Sequence, residues 1–244
     1  MKISIKKRTV LFLVSILFAT TSYAQWSKIK GNGIMKTITR STSEYDGIKC
    51  AGSMDFVLIN GVEGHITIEG EENLLEYIIT EVKNNTLIVK VKNGKNIKSS
   101  KNKTMKITIP FKDISKVSLS GSGYLWNKNF LSSTNLDVSL AGSGDVILDI
   151  ETSSTEVSIA GSGDIKLKGN TNNLKANISG SGNFHGFDLQ TNNTEVSVSG
   201  SGYAKVVSNK TLKARIAGSG DISYKGNPEK EDTKVTGSGR IFTY

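Results

Sequence analysis

Three aspartates, Asp145, Asp164 and Asp221, each stand directly after a Gly-Ser-Gly tripeptide, and Asn183 holds the same place in a further copy. Carboxylates repeated in one frame can ligate a hard cation such as calcium, or pair as acid and base in hydrolysis. The calcium-binding nonapeptide repeat places its Asp two residues after the last glycine. Here the Asp follows at once, and each repeat carries one glycine cluster, so the register speaks against calcium. For hydrolysis, Asp145 and Asp164 can meet on neighbouring repeats, as in polysaccharide-acting β-helices. The supporting groups are scarce. Arg40, Arg215 and Arg240 are the only arginines beyond residue 24, and the two histidines, His65 and His185, lie on different segments without ligand spacing. No Ser-His-Asp arrangement is suggested. No copy reads G-x-G-x-x-G or opens a helix, so no dinucleotide cradle is expected. These residues predict no enzyme, no metal and no cofactor.

The elements that carry these residues follow from the repeat. The tripeptides begin at Gly121, Gly142, Gly161, Gly180, Gly200, Gly218 and Gly237, at spacings of 21, 19, 19, 20, 18 and 19. A period near 19 that tolerates slips is the mark of a solenoid. Around Gly161, the residues Val157, Ile159, Gly161, Gly163, Ile165 and Leu167 share one parity and Ser158, Ala160, Ser162, Asp164 and Lys166 the other. That alternation predicts strands with one buried face. It assigns both glycines of every copy (Gly121 and Gly123, Gly142 and Gly144, Gly161 and Gly163, Gly180 and Gly182, Gly200 and Gly202, Gly218 and Gly220, Gly237 and Gly239) to the inner face. There they form a corner between two short strands per coil. A single coil offers four or five inward apolar side chains at roughly 1.5–3 kcal/mol each. Ordering its residues costs roughly 1–2 kcal/mol each, so coils must stack to be stable. The expected fold is all-β: a right-handed parallel β-solenoid with coils of about 19 residues and an irregular N-terminal β cap.

A damaged eighth copy, "IKCAGSMDFVL", has Met54 where the second glycine belongs and reads as an end coil with Cys50 as a small buried hydrophobe. "HITIEG", "TLIVKVK" and "TMKITIP" read as strands, "EENLLEYII" as a short helix, and Pro110 as a strand end. The polar segments "DIETSS", "KGNTNN", "VSNKT" and "KGNPEKEDT" read as turns.

On the outer parity, Ser122, Ser143, Ser162, Ser181, Ser201 and Ser219 should stack as a ladder bordered by Tyr124, Asp145, Asp164, Asn183, Tyr203 and Asp221. This strip of small residues is the candidate interaction site. The basic run "KVKNGKNIKSSKNKTMK", with Lys90, Lys92, Lys95, Lys98, Lys101, Lys103 and Lys106, is a second candidate, for anionic glycans or lipid headgroups. Aromatic residues do not interleave with it, which argues against nucleic acid.

The first 24 residues read as a secretory signal peptide: Lys2, Lys6, Lys7 and Arg8, then an apolar run from Val10 to Ala19, then the small-x-small site Ser22-Tyr23-Ala24. The apolar run is too short to span a membrane. Its removal lowers the formal charge from +9 to +5 and leaves Cys50 alone, without a partner for an internal disulfide. The expected product is exported to the periplasm, outer surface or medium, with no membrane-spanning segment. An outer-membrane barrel is disfavoured because aromatic girdles are expected there and aromatics are 7% of the chain.

With these marks in order, the chain resembles the putative auto-transporter adhesin, head GIN domain family. "EYDGIKCAGSMDFVLINGVEGHITIEGEENLLEYIITEVKNNTLIVKVK" is similar to that family's opening block and "KITIPFKDISKVSLSGSG" to its link into the repeats. The "GSGD" copies follow, and "ISYKGNPEKEDTKVTGSGRI" is similar to its closing block. The resemblance implies an exported β-solenoid of the Bacteroidota type and an adhesin-like role, with a glycan, protein or cell-envelope partner. It carries no catalytic motif. The implied organisation is a lead-in over 25–44, an irregular start over 45–116 and the repeats over 117–241.

Overall fold

A computed structural model describes residues 28–244, and the signal-peptide reading of residues 1–24 lies outside them. Strands dominate, and the sole helix among the described residues, α1 (Glu72–Leu75), is a single turn. The expected helix stops there, because Ile78 already begins a strand.

The N-terminal part holds β1 (Lys28–Lys30), β2 (Met35–Ser41), β3 (Gly47–Gly52), β4 (Asp55–Asn60), β5 (His65–Glu71), β6 (Ile78–Lys83), β7 (Thr86–Val91), β8 (Asn96–Lys98) and β9 (Lys106–Phe111). The coils continue through β10 (Lys116–Gly121), β11 (Tyr124–Asn127), β12 (Leu131–Gly142), β13 (Asp145–Gly161), β14 (Asp164–Gly180) and β15 (Asn183–Gly200). They end with β16 (Tyr203–Val207), β17 (Thr211–Gly218), β18 (Asp221–Lys225), β19 (Lys230–Gly237) and β20 (Ile241–Thr243). From β10 onward every pairing is parallel, and the corner glycines align without a slip from Gly52 through Gly121, Gly142, Gly161, Gly180, Gly200 and Gly218 to Gly237. The chain is a β-solenoid.

The damaged copy is in register, but it is not the end coil. Its β3 and β4 lie between the first complete coil, β10 and β11, and a further layer made of β7 and β9. The chain therefore leaves the stack after β4, builds the layer beneath, and returns above. Met54 fits for a different reason than an exposed end. The lower layer has no glycine corner: it leaves at Val91 and returns at Lys106, and the cleft so opened is lined by Gly52, Met54, Lys95 and Met105. Met54 is buried against it, and burial pushes the Cys50 thiol up. The antiparallel pairs β2–β5, β5–β9 and β6–β7 close this end, so that residues 35–41 of the lead-in belong to the cap. Pro110 sits one residue inside the end of β9.

The three middle coils, β13, β14 and β15, are each one long bent strand, whereas the coils on either side break into two strands as expected: β11 and β12, β16 and β17, β18 and β19. There "VSNKT" and "KGNPEKEDT" do interrupt the strands. β13 and β14 pair from Asp145 and Asp164 through to Gly161 and Gly180, so that "DIETSS" and "KGNTNN", expected as turns, are held inside the ladder. What holds them is side-chain stacking. Thr152 Oγ1 lies 2.7 Å from Thr155 Oγ1 and donates to Thr171 Oγ1 at 2.8 Å. Asn192 donates to Asn172 at 2.8 Å, and Asn193 to Asn173 at 3.0 Å. Inside this ring Val146, Leu148, Ile150, Val157 and Ile159 are buried.

The slips in period have local causes. The 21-residue coil carries two extra residues between Trp126 and Leu131, because Trp126 aligns with Ile147 but Leu131 with Ile150. The 20-residue coil carries one, at a bulge where Lys166 aligns with His185 but Lys168 with Asp188.

The two glycines of each corner do different jobs, which corrects the expectation that both face the core. The second (Gly123, Gly144, Gly163, Gly182, Gly202, Gly220) is buried, and a Cβ at Gly163 would meet the Gly144 carbonyl at 2.2 Å and Leu140 at 2.9 Å. The first is half-buried or exposed and adopts φ between 110° and 134°, so that its absent side chain would point along the stack into the carbonyl of the preceding coil. Such a backbone is open to glycine almost alone.

Candidate functional site

The serine at the centre of each corner stands outward. Ser122, Ser143, Ser162, Ser181, Ser201, Ser219 and Ser238 are all exposed, and each backbone N–H donates to a corner-glycine carbonyl of the preceding coil at 2.9–3.1 Å. Their side chains are therefore fixed in a row, which at roughly 4.8 Å per coil is about 29 Å long. Among the described residues none of these hydroxyls takes part in a side-chain hydrogen bond, and their lone pairs and protons remain available. Ser120, Ala141, Ala160, Ser179, Ser199, Ala217 and Thr236 run beside them in register, so this flank stays low.

The border on the other flank is less free. Asp55, Tyr124, Asp145, Asp164, Asn183, Tyr203 and Asp221 do align in one row. Asp164 accepts from the Asn183 amide N–H at 3.1 Å and from its side chain at 2.8 Å. Asp221 accepts from the backbone and guanidinium of Arg240, and the Arg240 hydrogen bond holds its carboxyl below the usual range. The Tyr203 hydroxyl lies 2.5 Å from that of Ser223. Asp145 is exposed. The row is partly a clasp between coils and partly a surface.

Asp145 and Asp164 lie side by side, but Asp164 is committed to Asn183 and faces His185, whose Nε2 is 3.6 Å away. The Asp164–His185 contact was not anticipated from sequence. It was readable there, because His185 stands two places after Asn183, the partner of Asp164. No group of three or more His, Cys, Asp or Glu gathers to hold a metal among the described residues. A shallow 880 Å³ groove lined by Asp46, Asp113, Ser133 and Glu151 lies away from the serine row.

Two further features were missed. The bulge at Gly186 and Phe187 turns Phe187 outward, where its ring meets Tyr244 at 4.9 Å and Lys225 stands 4.4 Å above it. On the flank below the serine row, Lys116, Asp137, Glu156, Lys175, Glu195, Lys213 and Asp232 align as a charge ladder. Lys116–Asp137, Lys175–Glu156 and Lys213–Glu195 pair within it at 2.7–2.9 Å. These are exposed pairs and contribute little stability.

The lysine run is structured. β8 pairs in parallel with β1, setting Lys98 beside Lys30. Beneath them Glu71, almost wholly buried, accepts from the Gly33 N–H at 2.5 Å, the Ser100 N–H at 2.8 Å and the Ser100 hydroxyl at 2.6 Å. The Ser100 hydrogen bonds hold its carboxyl below the ordinary value.

No helix of the described residues is long and apolar enough to cross a membrane. No curated protein matches the chain in sequence. Solved structures match the fold closely. A "putative adhesin" of Bacteroides fragilis is 26% identical with a TM-score of 0.82, over 88% of this chain and 100% of that one. A "putative lipid binding protein" of Parabacteroides distasonis is 28% identical with a TM-score of 0.74, over 89% and 100%. A "putative adhesin" of Parabacteroides merdae, 24% identical with a TM-score of 0.71 over 89% and 99%, shows the fold alone. The family described as "Putative auto-transporter adhesin, head GIN domain" matches residues 44–228, and the chain, with its opening block, glycine corners and stacked coils, belongs to that family.

Proposed function

We propose that this chain is a non-enzymatic, exported, adhesin-like protein that displays the serine row of its solenoid to a glycan, protein or cell-envelope partner. The observation that carries the reading is the row itself: seven hydroxyls at one coil spacing, exposed and without side-chain hydrogen bonds among the described residues, on a continuous parallel ladder. A polymer with repeating polar groups can meet such a row at many points without ordering cost on the protein side. Family membership and a neighbour called a putative adhesin support the role and the exported address. Asp145, Tyr124 and Tyr203 supply the chemically distinct edge.

The test is the triple substitution Ser162→Lys, Ser181→Lys, Ser201→Lys, read by glycan-array and whole-cell binding of the purified chain. Binding by the wild type and its loss in a normally folded variant is the expected result. Equal binding by both would remove the serine row as the site. A second reading, a structural envelope protein that binds nothing here, draws on the engagement of Asp164 and Asp221 between coils. It predicts no binding by either form.

A further inference from the structure

The cap end of the solenoid gathers two kinds of exposed side chain. Ile34 and Met35 are large, apolar and 59% and 43% exposed. Lys28, Lys30, Lys98, Lys101 and Lys103 are exposed too, and form no ion pair among the described residues. The acids nearby offset them only in part: Glu69 sits against Lys106 and Glu72 against Lys36, while the Glu71 carboxylate, held by Gly33 and Ser100, is felt by Lys103 and leaves the other four lysines without an acid partner among the described residues. The geometry brings the two sets together. β1 lies along β8, the Gly31 N–H donates to the Lys98 carbonyl at 2.9 Å, and Glu71 grips the chain just before Ile34 and just after Lys98.

We propose that this end of the molecule docks on an anionic lipid surface, with Ile34 and Met35 entering the headgroup layer and the lysines facing lipid phosphates. A soluble polyanion would be served by the lysines alone. The exposed apolar pair beside them in the chain matches an interface that is apolar just beneath its charged layer. The docking surface lies at the foot of the serine row, where Lys98 and Lys103 share a cleft with Ser53, and the serines substituted in the first test stand two or more coils above it, so the two readings fail independently. A lipid-docked cap would leave the serine row running away from the membrane.

The test uses the processed chain and co-sedimentation with vesicles of phosphatidylcholine, alone or mixed with phosphatidylglycerol. Binding only to the mixed vesicles, weakened by salt, is expected. At roughly five-fold per lysine, Lys30→Gln, Lys98→Gln, Lys101→Gln together should weaken it on the order of a hundred-fold. Ile34→Ser with Met35→Ser should also weaken it while every lysine remains. Thermal melting controls the fold of each variant, and the triple serine-to-lysine protein should still bind vesicles. Equal binding to both vesicle types, or none, overturns the proposal. So does binding of dextran sulfate as tight as that of vesicles and indifferent to Ile34 and Met35, which would make the cap a receptor for soluble polyanions.

Discussion

At the scale of single residues, Gly161, Ser162 and Gly163 are three neighbours under different constraints. Gly163 is closed off by the Gly144 carbonyl and Leu140, Gly161 by the Gly142 carbonyl and by its φ of 126°, and Ser162 by nothing. Gly163→Ala must displace both the Gly144 carbonyl and the Leu140 side chain, and overpacking of this kind costs roughly 1–3 kcal/mol. Gly161→Ala meets the Gly142 carbonyl in the same way and adds a backbone conformation that non-glycine residues hold only at a further cost of about 1–3 kcal/mol, so it should be the more damaging of the two. Ser162→Ala changes an exposed hydroxyl and should stay within about 0.5 kcal/mol. Urea titrations of the three variants check this. A Gly163→Ala protein as stable as the wild type would mean that the corner relaxes, and that glycine there serves something other than packing.

At the scale of elements, alternation was legible and pairing order was not. Val157 and Ile159 announce a buried face through their parity, and the structure buries both. Nothing local announces that β7 and β9 lie beneath β3 and β4, because parallel pairing between distant segments leaves no trace in either segment. Asn and Thr in the turn-like stretches were read by their usual preference. Stacked at one spacing, the same residues bond to their own counterparts in the next coil, which a single repeat cannot display. The serine row was visible from parity, and its lack of hydrogen bonds was not. The Glu71 latch lay out of sight for a related reason: it joins β1, β8 and β5, three elements far apart in sequence. Its titration gives it a signature. The folded carboxyl sits below the ordinary 4.5, so its stabilisation is full above that value and is lost as pH falls through the lower folded value. Melting temperature should therefore fall on acidification faster in the wild type than in Glu71→Gln, which starts lower at neutral pH. Parallel curves for the two proteins would show that Glu71 does not couple the cap to pH.

At the scale of the whole molecule, a solenoid must end twice, and an open coil end offers a row of unpaired backbone groups over an apolar core. The N-terminal end is closed by chain, with β2, β5 and β6 crossing antiparallel over the first layer. The C-terminal end is closed by composition. In β19, Glu231 holds the place of Leu212 and Thr233 that of Ala214, while Val235 stays apolar above Ile216. Glu231 also accepts from the Tyr224 hydroxyl at 3.0 Å, which keeps its charge over the core mouth. A second solenoid that stacked on this edge would bury that carboxylate without a cation, a cost of several kcal/mol. Glu231→Val with Thr233→Val restores the inward apolar row and removes the buried charge while leaving the β17–β19 register alone. The doubly substituted chain should associate with rising concentration, seen as an increase in mass by light scattering on a sizing column. A variant that keeps the wild-type mass at every concentration would shift the protection to Lys230, Lys234 and the exposed side of β19, where positive charge rather than the polar inner row would be keeping the coil edges apart.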